Sequence, residues 1–162
     1  MSYNQNTEIY NILKNNFSKQ PSQIILGFDF GAKYIGIAIG QTMTNTARPL
    51  TCLKVKNKKI NWQEIDQLIN SWNPGQLIVG IPLDMQGKQQ HTTFECLNFL
   101  NELEKRYNLP TNKVDERLST WEAKKSLSIS QKNKFSSQEL HQVNAMAAAI
   151  LVEQWLNEKL IY

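Results

Sequence analysis

Asp29 is the one carboxylate in an apolar hairpin, Ile24-Ile25-Leu26-Gly27-Phe28-Asp29-Phe30-Gly31 returning as Tyr34-Ile35-Gly36-Ile37-Ala38-Ile39. An acid near the end of a half-buried strand is costly unless it meets a cation or a hydrogen-bond donor. Asp29 is therefore a metal ligand or a satisfied structural acid. Two further segments put polar groups at the ends of buried elements. Gly80-Ile81-Pro82-Leu83 closes a continuous apolar run, and Asp115-Glu116-Arg117-Leu118-Ser119-Thr120 joins a strand end to a helix start. In mixed α/β sheets such ends converge on one edge, where ligands bind. Asp29 and Glu116, from separate strands, can then flank a divalent cation. Mg²⁺ or Mn²⁺ suits oxygen ligands and keeps several waters, so one or two carboxylates plus a substrate phosphate suffice. Paired metals about 4 Å apart would activate water and steady the leaving oxygen in phosphodiester hydrolysis. The competing reading has Asp29 capping the turn and Glu116 paired with Arg117 or Lys113. Residue types alone leave the two open.

The elements that must position these acids follow from periodicity. Ile9, Ile12, Leu13 and Phe17 predict a helix over 5–17, ended by Pro21. Strands are predicted at about 23–30 and 34–40, with a third from Leu50 to Val55 after Arg48-Pro49. Trp62, Ile65, Leu68, Ile69 and Trp72 mark a helix over 61–72, with Asn61 as N-cap and Asn73-Pro74-Gly75 as its stop. The run 76–81 reads as a strand buried on both faces. Phe94, Leu97, Leu100, Leu103 and Tyr107 predict a helix over 91–107, and Lys113-Val114-Asp115 a short strand. Ser119 with Glu122 forms a capping box opening another helix. The polar stretch 128–137 reads as a mobile loop before a last helix over about 137–158, whose Ala-rich centre lets it approach a sheet closely. Hairpin-linked strands leading into βαβ units predict an α/β fold: one mixed sheet of about five strands with helices on its faces. Residues 1–22 read as a helical extension of a domain spanning 23–162.

Composition narrows the class. The chain has 162 residues, 41% hydrophobic and 20% charged, which suits one soluble globular domain. No apolar run is long enough to span a bilayer, and Met1 to Gln20 lacks a signal-peptide core, so a cytoplasmic location without membrane association is expected. Cys52 and Cys96 lack metal or redox spacing and read as buried thiols. The net charge of +4 suits an anionic partner such as nucleic acid. Lysine clusters at 54, 56, 58, 59 and at 124, 125, 132, 134 read as solvated faces or phosphate contacts. Arg48, fixed between Ala47 and Pro49, can grip phosphate bidentately, as can Arg117. Lys33 and Lys88 are further candidates for phosphate contact. His91 reads as an exposed helix-start residue, and His141, one turn before Asn144, as a surface residue or a neighbour of the site. Trp62 and Trp72 read as core, and Trp121 as a possible stacking platform.

Several of these motifs, taken together and in order, resemble the YqgF/RuvX family. They are Gly27-Phe28-Asp29-Phe30-Gly31-Ala32-Lys33 with Ile35-Gly36-Ile37-Ala38, Thr46-Ala47-Arg48-Pro49-Leu50, Val79-Gly80-Ile81-Pro82-Leu83 with Gly87, Asp115 to Thr120, and Ala145-Met146-Ala147-Ala148. The resemblance implies an RNase H-like fold and a bacterial cytoplasmic nuclease. Family members are described as Holliday-junction-resolvase-like and as maturing the 5′ end of pre-16S ribosomal RNA. It implies Asp29 and Glu116 as acids holding Mg²⁺ or Mn²⁺, with the third acid position on the last helix. Here that position is Asn144, an amide that can ligate through oxygen but brings no charge and cannot act as a base. Tyr34 and Gln41 also stand where many members have Arg and Asp. The expected activity is metal-dependent phosphodiester hydrolysis on precursor rRNA, with branched DNA as an alternative substrate. One rival is a weakened or inactive nucleic-acid-binding protein of the same fold. Another, an actin- or hexokinase-like nucleotide-binding enzyme, needs a second domain for which the length leaves no room. Oligomeric state stays open.

Overall fold

The computed structural model describes residues 8–9, 22–83, 86, 91–116 and 136–159. Among these residues five strands and three long helices follow in the order β1 (Ile24–Phe30), β2 (Tyr34–Gln41), β3 (Thr46–Lys54), α1 (Trp62–Trp72), β4 (Gln76–Ile81), α2 (His91–Tyr107), β5 (Thr111–Asp115) and α3 (Ser137–Lys159). They form one sheet in the spatial order β3-β2-β1-β4-β5. The β1–β2 and β2–β3 pairs are antiparallel, and β1–β4 and β4–β5 are parallel. This is the expected mixed sheet. Of the N-terminal helix predicted over 5–17, Glu8 and Ile9 are described, both helical and exposed. The capping box Ser119–Glu122 lies outside the described residues.

Side-chain alternation along the strands divides the core in two. Leu26, Phe28, Ile35, Ile37, Leu77 and Val79 pack with Ile65 of α1 and with Phe99 and Leu103 of α2. Ile25, Ala38, Ile78 and Val114 point the other way, onto Ala148, Ala149, Leu151 and Val152 of α3. On the first face Arg106 grips Asp66 with two bonds of 3.0 and 3.1 Å, and the Tyr107 hydroxyl donates to Asp66 at 2.7 Å. These bonds tie α2 to α1. The Arg106 guanidinium also lies 5.3 Å from the centre of the Trp62 ring.

One strand boundary and two helix caps differ from expectation, each for a physical reason. The third strand starts at Thr46, not Leu50, and runs through Pro49. Proline is tolerated because β3 is an edge strand, and a register shift sets Ile37 opposite Thr51 but Ala38 opposite Pro49, leaving Leu50 as a bulge. Asn61 precedes α1 but makes no side-chain cap; its amide donates to Glu64 at 2.6 Å instead. The start of α3 carries a capping box the periodicity did not reveal. Ser136 N–H and hydroxyl reach Glu139 at 2.7 and 2.8 Å, and Glu139 N–H donates to Ser136 Oγ at 3.3 Å.

The small residues of α3 bring its backbone onto the sheet. A Cβ on Gly36 would run into the main-chain carbonyl of Asn144, and one on Gly27 into the side chain of Val152. Val152 can change rotamer, whereas a helical carbonyl can yield only if the helix moves. Gly36→Ala is therefore expected to lower stability by about 2 kcal/mol, the middle of the range for overpacking. Urea denaturation checks this, and an unchanged midpoint would show that α3 is free to lift.

Candidate active site at the carboxyl ends of the central strands

Alternation on β1 puts Asp29 on the α3 face with Ile25 and Gly27, and the residue is only 6% exposed. Its partner across β1–β2 is Gly36. On the other side Phe28 pairs with Val79 in parallel register, so the next step sets Gly80 beside Asp29. Gly80 in turn pairs with Val114 of β5. Glu116 follows that strand and is 4% exposed, and its N–H donates to the Ile81 carbonyl at 3.2 Å. Its carboxylate lies over Gly80, since a Cβ there would stand 2.6 Å from Glu116 Oε1. Asp29 and Glu116 thus flank one glycine on one face of the sheet. Neighbouring strands are about 4.8 Å apart, so both acids serve one small volume. Asp115, paired with Ile81, belongs to the opposite alternation and is half-buried.

Asn144 enters from above. Its backbone carbonyl covers Gly36, the strand partner of Asp29, and its Nδ2 donates to the Leu140 carbonyl at 2.8 Å. That bond fixes the amide's orientation, because only the NH₂ can donate, and leaves Oδ1 as the group able to ligate. Asp29, Glu116 and Asn144 together supply hard oxygen donors, which fit one Mg²⁺ or Mn²⁺ ion completed by water and phosphate. Among the described residues no three His, Cys, Asp or Glu side chains come together as a metal-binding group.

His141 lies one turn before Asn144, its ring meeting Tyr34 edge to face at 5.4 Å. Tyr34 shares the alternation of Gly36, so His141 stands on the same face and at the same end as Asp29. Lys33 sits exposed in the tight turn between β1 and β2, closed by a Gly31 N–H to Tyr34 carbonyl bond of 2.9 Å. The structure does not bring Arg48 to the acids. It pairs with Ile39 in the alternation that faces α1, and its guanidinium lies 5.5 Å from the centre of the Trp72 ring. Trp62 and Trp72, expected as core, are each half-buried beneath an arginine. His91 is exposed at the start of α2, 3.8 Å from Glu95. Lys88, Arg117, Trp121 and the lysines at 124, 125, 132 and 134 lie outside the described residues.

Cys52 belongs to this neighbourhood although its sequence spacing gave no sign of it. It pairs with Gly36 from the far side and is half-buried, unlike the buried Cys96. The bulge that fixes its register could not be read from the chain. Gly80 did carry a signal, since glycine inside a buried apolar strand marks a close approach. Burial first, and then the negative charge of Asp29, push the Cys52 thiol up to about 11.

A sequence profile described as RuvX, Holliday junction resolvase, matches residues 23–158. The chain belongs to the RuvX family. A relative from Nitrosococcus oceani, named "Putative pre-16S rRNA nuclease", is 44% identical over 142 residues, covering 88% of this chain and 91% of its own. Relatives of the same name from Coxiella burnetii and Buchnera aphidicola are 41% and 42% identical, covering 84% and 82% of this chain and 94% and 95% of theirs. The structure of Thermus thermophilus RuvC in complex with a Holliday junction substrate superposes with a TM-score of 0.52 at 12% identity, covering 85% of this chain and 96% of that one. At that identity the likeness speaks for the fold alone, and the fold is RNase H-like.

The Cys52 thiol reports on Asp29. With its value near 11, about one thiol in a thousand is ionised at pH 8, against roughly one in ten at the ordinary 9.0. Thiolate is the reactive form, so alkylation at pH 8 should run about 100-fold slower than for an unperturbed thiol. Asp29→Asn removes the smaller of the two causes and should speed alkylation severalfold. Mass spectrometry of iodoacetamide-treated native protein checks it; equal rates would mean that Asp29 does not bear on Cys52.

Proposed function

We propose that this RuvX-family chain is a divalent-metal-dependent nuclease that hydrolyses phosphodiester bonds in RNA, maturing the 5′ end of precursor 16S rRNA in the cytoplasm. The observation that carries this reading is the pair of buried carboxylates, Asp29 and Glu116, presented by separate strands on either side of Gly80. The names of the relatives support the substrate class. Asp29 and Glu116 would hold one Mg²⁺ or Mn²⁺ ion, with Asn144 Oδ1 as a neutral third donor. When bound, such an ion supplies Lewis acidity and lowers the pKa of water. The chain's own part is placement. The α3 backbone over Gly36 and the Leu151 side chain against Gly80 keep bulk water from the sheet side of the acids. Lys33, on the exposed turn four residues after Asp29, meets the substrate backbone as a mobile point charge.

A second reading has its own observation. The Asn144 amide is bound to its own helix and brings no charge, which favours a binding protein of the same fold with weakened catalysis. Cleavage of a precursor 5′ rRNA segment, with a four-way DNA junction alongside, separates the readings across Mg²⁺ and Mn²⁺ titrations. Metal-dependent cleavage of the RNA is expected, and Asp29→Asn should reduce it at least about 100-fold, the upper range for disturbing a metal site. Asn144→Asp should raise the rate and lower the metal concentration at half-maximal activity about tenfold, since affinity follows ligand charge. Unchanged activity and metal affinity in Asn144→Asp would refute the depleted-site mechanism. RNA affinity that survives chelator without cleavage at any Mn²⁺ level would establish the binding-protein reading, and cleavage of the junction alone would make the substrate DNA.

A further inference from the structure

Among the described residues two arginines lie over tryptophans on the α1 side of the sheet, and one of the two is neutralised there. Over Trp62, Arg106 gives two guanidinium N–H groups to Asp66. Over Trp72, Arg48 is exposed, and among the described residues it meets no carboxylate. The Trp72 contact holds the Arg48 guanidinium carbon 5.5 Å from the centre of the indole. The N–H donors around the guanidinium edge form the planar fork that matches a phosphate. This edge opens on a cleft of about 410 Å³ whose walls include Trp72, Ile24 and Ile39 on the apolar side and Gln41 and Thr46 on the polar side. The polar wall is held in place. Gln41 Nε2 donates to Ser22 Oγ at 3.2 Å, Thr44 Oγ1 donates to Gln41 Oε1 at 3.4 Å, and the Thr44 and Thr46 hydroxyls are 2.8 Å apart.

We propose that this cleft is a second nucleic-acid subsite, separate from the acids, that takes one nucleotide of an RNA strand with its phosphate on Arg48 and its base against the apolar wall. The proposal rests on RNA being the substrate. Its chemistry is complete in the cleft: a fixed cation for the phosphate, a half-buried indole and two aliphatic side chains for the base face, and an amide and a hydroxyl for polar edges. The same Arg-over-Trp stack at Trp62 shows what a purely structural version looks like, with the charge cancelled by Asp66. The subsite is three residue positions along β2 from the Gly36 row, about 10 Å, and on the opposite sheet face. A strand reaching both places must pass round the β3 edge. Arg48 therefore anchors substrate without touching the reacting phosphate.

The test is fluorescence anisotropy of a labelled single-stranded RNA 12-mer, in chelator, with the full chain carrying Asp29→Asn so that no cleavage intervenes. Adding Arg48→Ala should weaken binding about tenfold at low salt, as expected for loss of a charge-assisted bond, and make the plot of log affinity against log salt shallower by about 0.7. Arg48→Lys, which keeps the charge and the stem over Trp72 but not the fork, should fall between. Arg106→Gln removes an equal charge and should leave affinity unchanged. Melting temperatures near that of the parent show that the variants fold. Equal losses from Arg48→Ala and Arg106→Gln would reduce the effect to net charge and overturn the subsite, as would an unchanged affinity in Arg48→Ala. Displacement of the RNA by micromolar free nucleoside monophosphate would also overturn it, by showing a nucleotide site rather than a strand subsite. A tenfold loss in Arg48→Ala alongside a wild type that never cleaves would uphold the subsite while the nuclease reading fails.

Discussion

The approach of two groups to the sheet beside Asp29 governs how this protein can act on a phosphodiester. Glu116 lays its carboxylate where Gly80 has no side chain, and the Asn144 backbone lies where Gly36 has none. Both glycines are on the Asp29 row, one on each neighbouring strand. Any Cβ at these two positions would part the acids from each other or lift α3 from the sheet. The price of this compactness is electrostatic, because two buried carboxylates flanking one glycine repel in a medium of low dielectric. A divalent cation would relieve that repulsion, which is the electrostatic ground for the metal dependence proposed above.

How much of this was legible in the chain can be argued from particular residues. The strands, α1, α2 and α3 declared themselves through period and punctuation, as at Asn73, whose left-handed φ of 45° ends α1 where the Asn-Pro-Gly run predicted. Asp29 and Glu116 were found because each interrupts or ends a buried run. What stayed hidden depends on register. Cys52 joins the Asp29 row, and Arg48 leaves it, only because β3 begins at Thr46 and bulges at Leu50. Edge strands and their bulges are set by pairing partners that a local pattern does not contain. The Arg48–Trp72 stack was hidden for the same reason, since it joins an edge strand to the last turn of a helix.

The two faces of the sheet divide the electrostatic work. On the α3 face the acids concentrate negative charge in a buried row, which attracts a small cation and repels a phosphate until that cation is present. On the α1 face Arg48 offers a fixed positive charge in the open. In the proposed scheme a nucleic-acid strand would be held on the second face regardless of metal, and accepted on the first only with it. A net charge of +4 is compatible with an acidic centre: among the described residues Lys33 is exposed on the turn after Asp29 and Arg48 is exposed on the opposite face.

Asn144 is best understood as a change in what the apoprotein must tolerate. A third carboxylate on the Asp29 row would add like charge to a site already holding two, and it could not donate to the Leu140 carbonyl as the amide does at 2.8 Å. The amide therefore closes a hydrogen bond within α3 while removing one source of repulsion, and both effects favour the metal-free fold. The same exchange lowers the affinity for the ion, since a neutral oxygen attracts a divalent cation less than a carboxylate. Stability without metal and avidity for metal are opposed at this one position. In this chain the balance stands on the side of the fold, and the proposed nuclease mechanism would then rest on the two acids that flank Gly80.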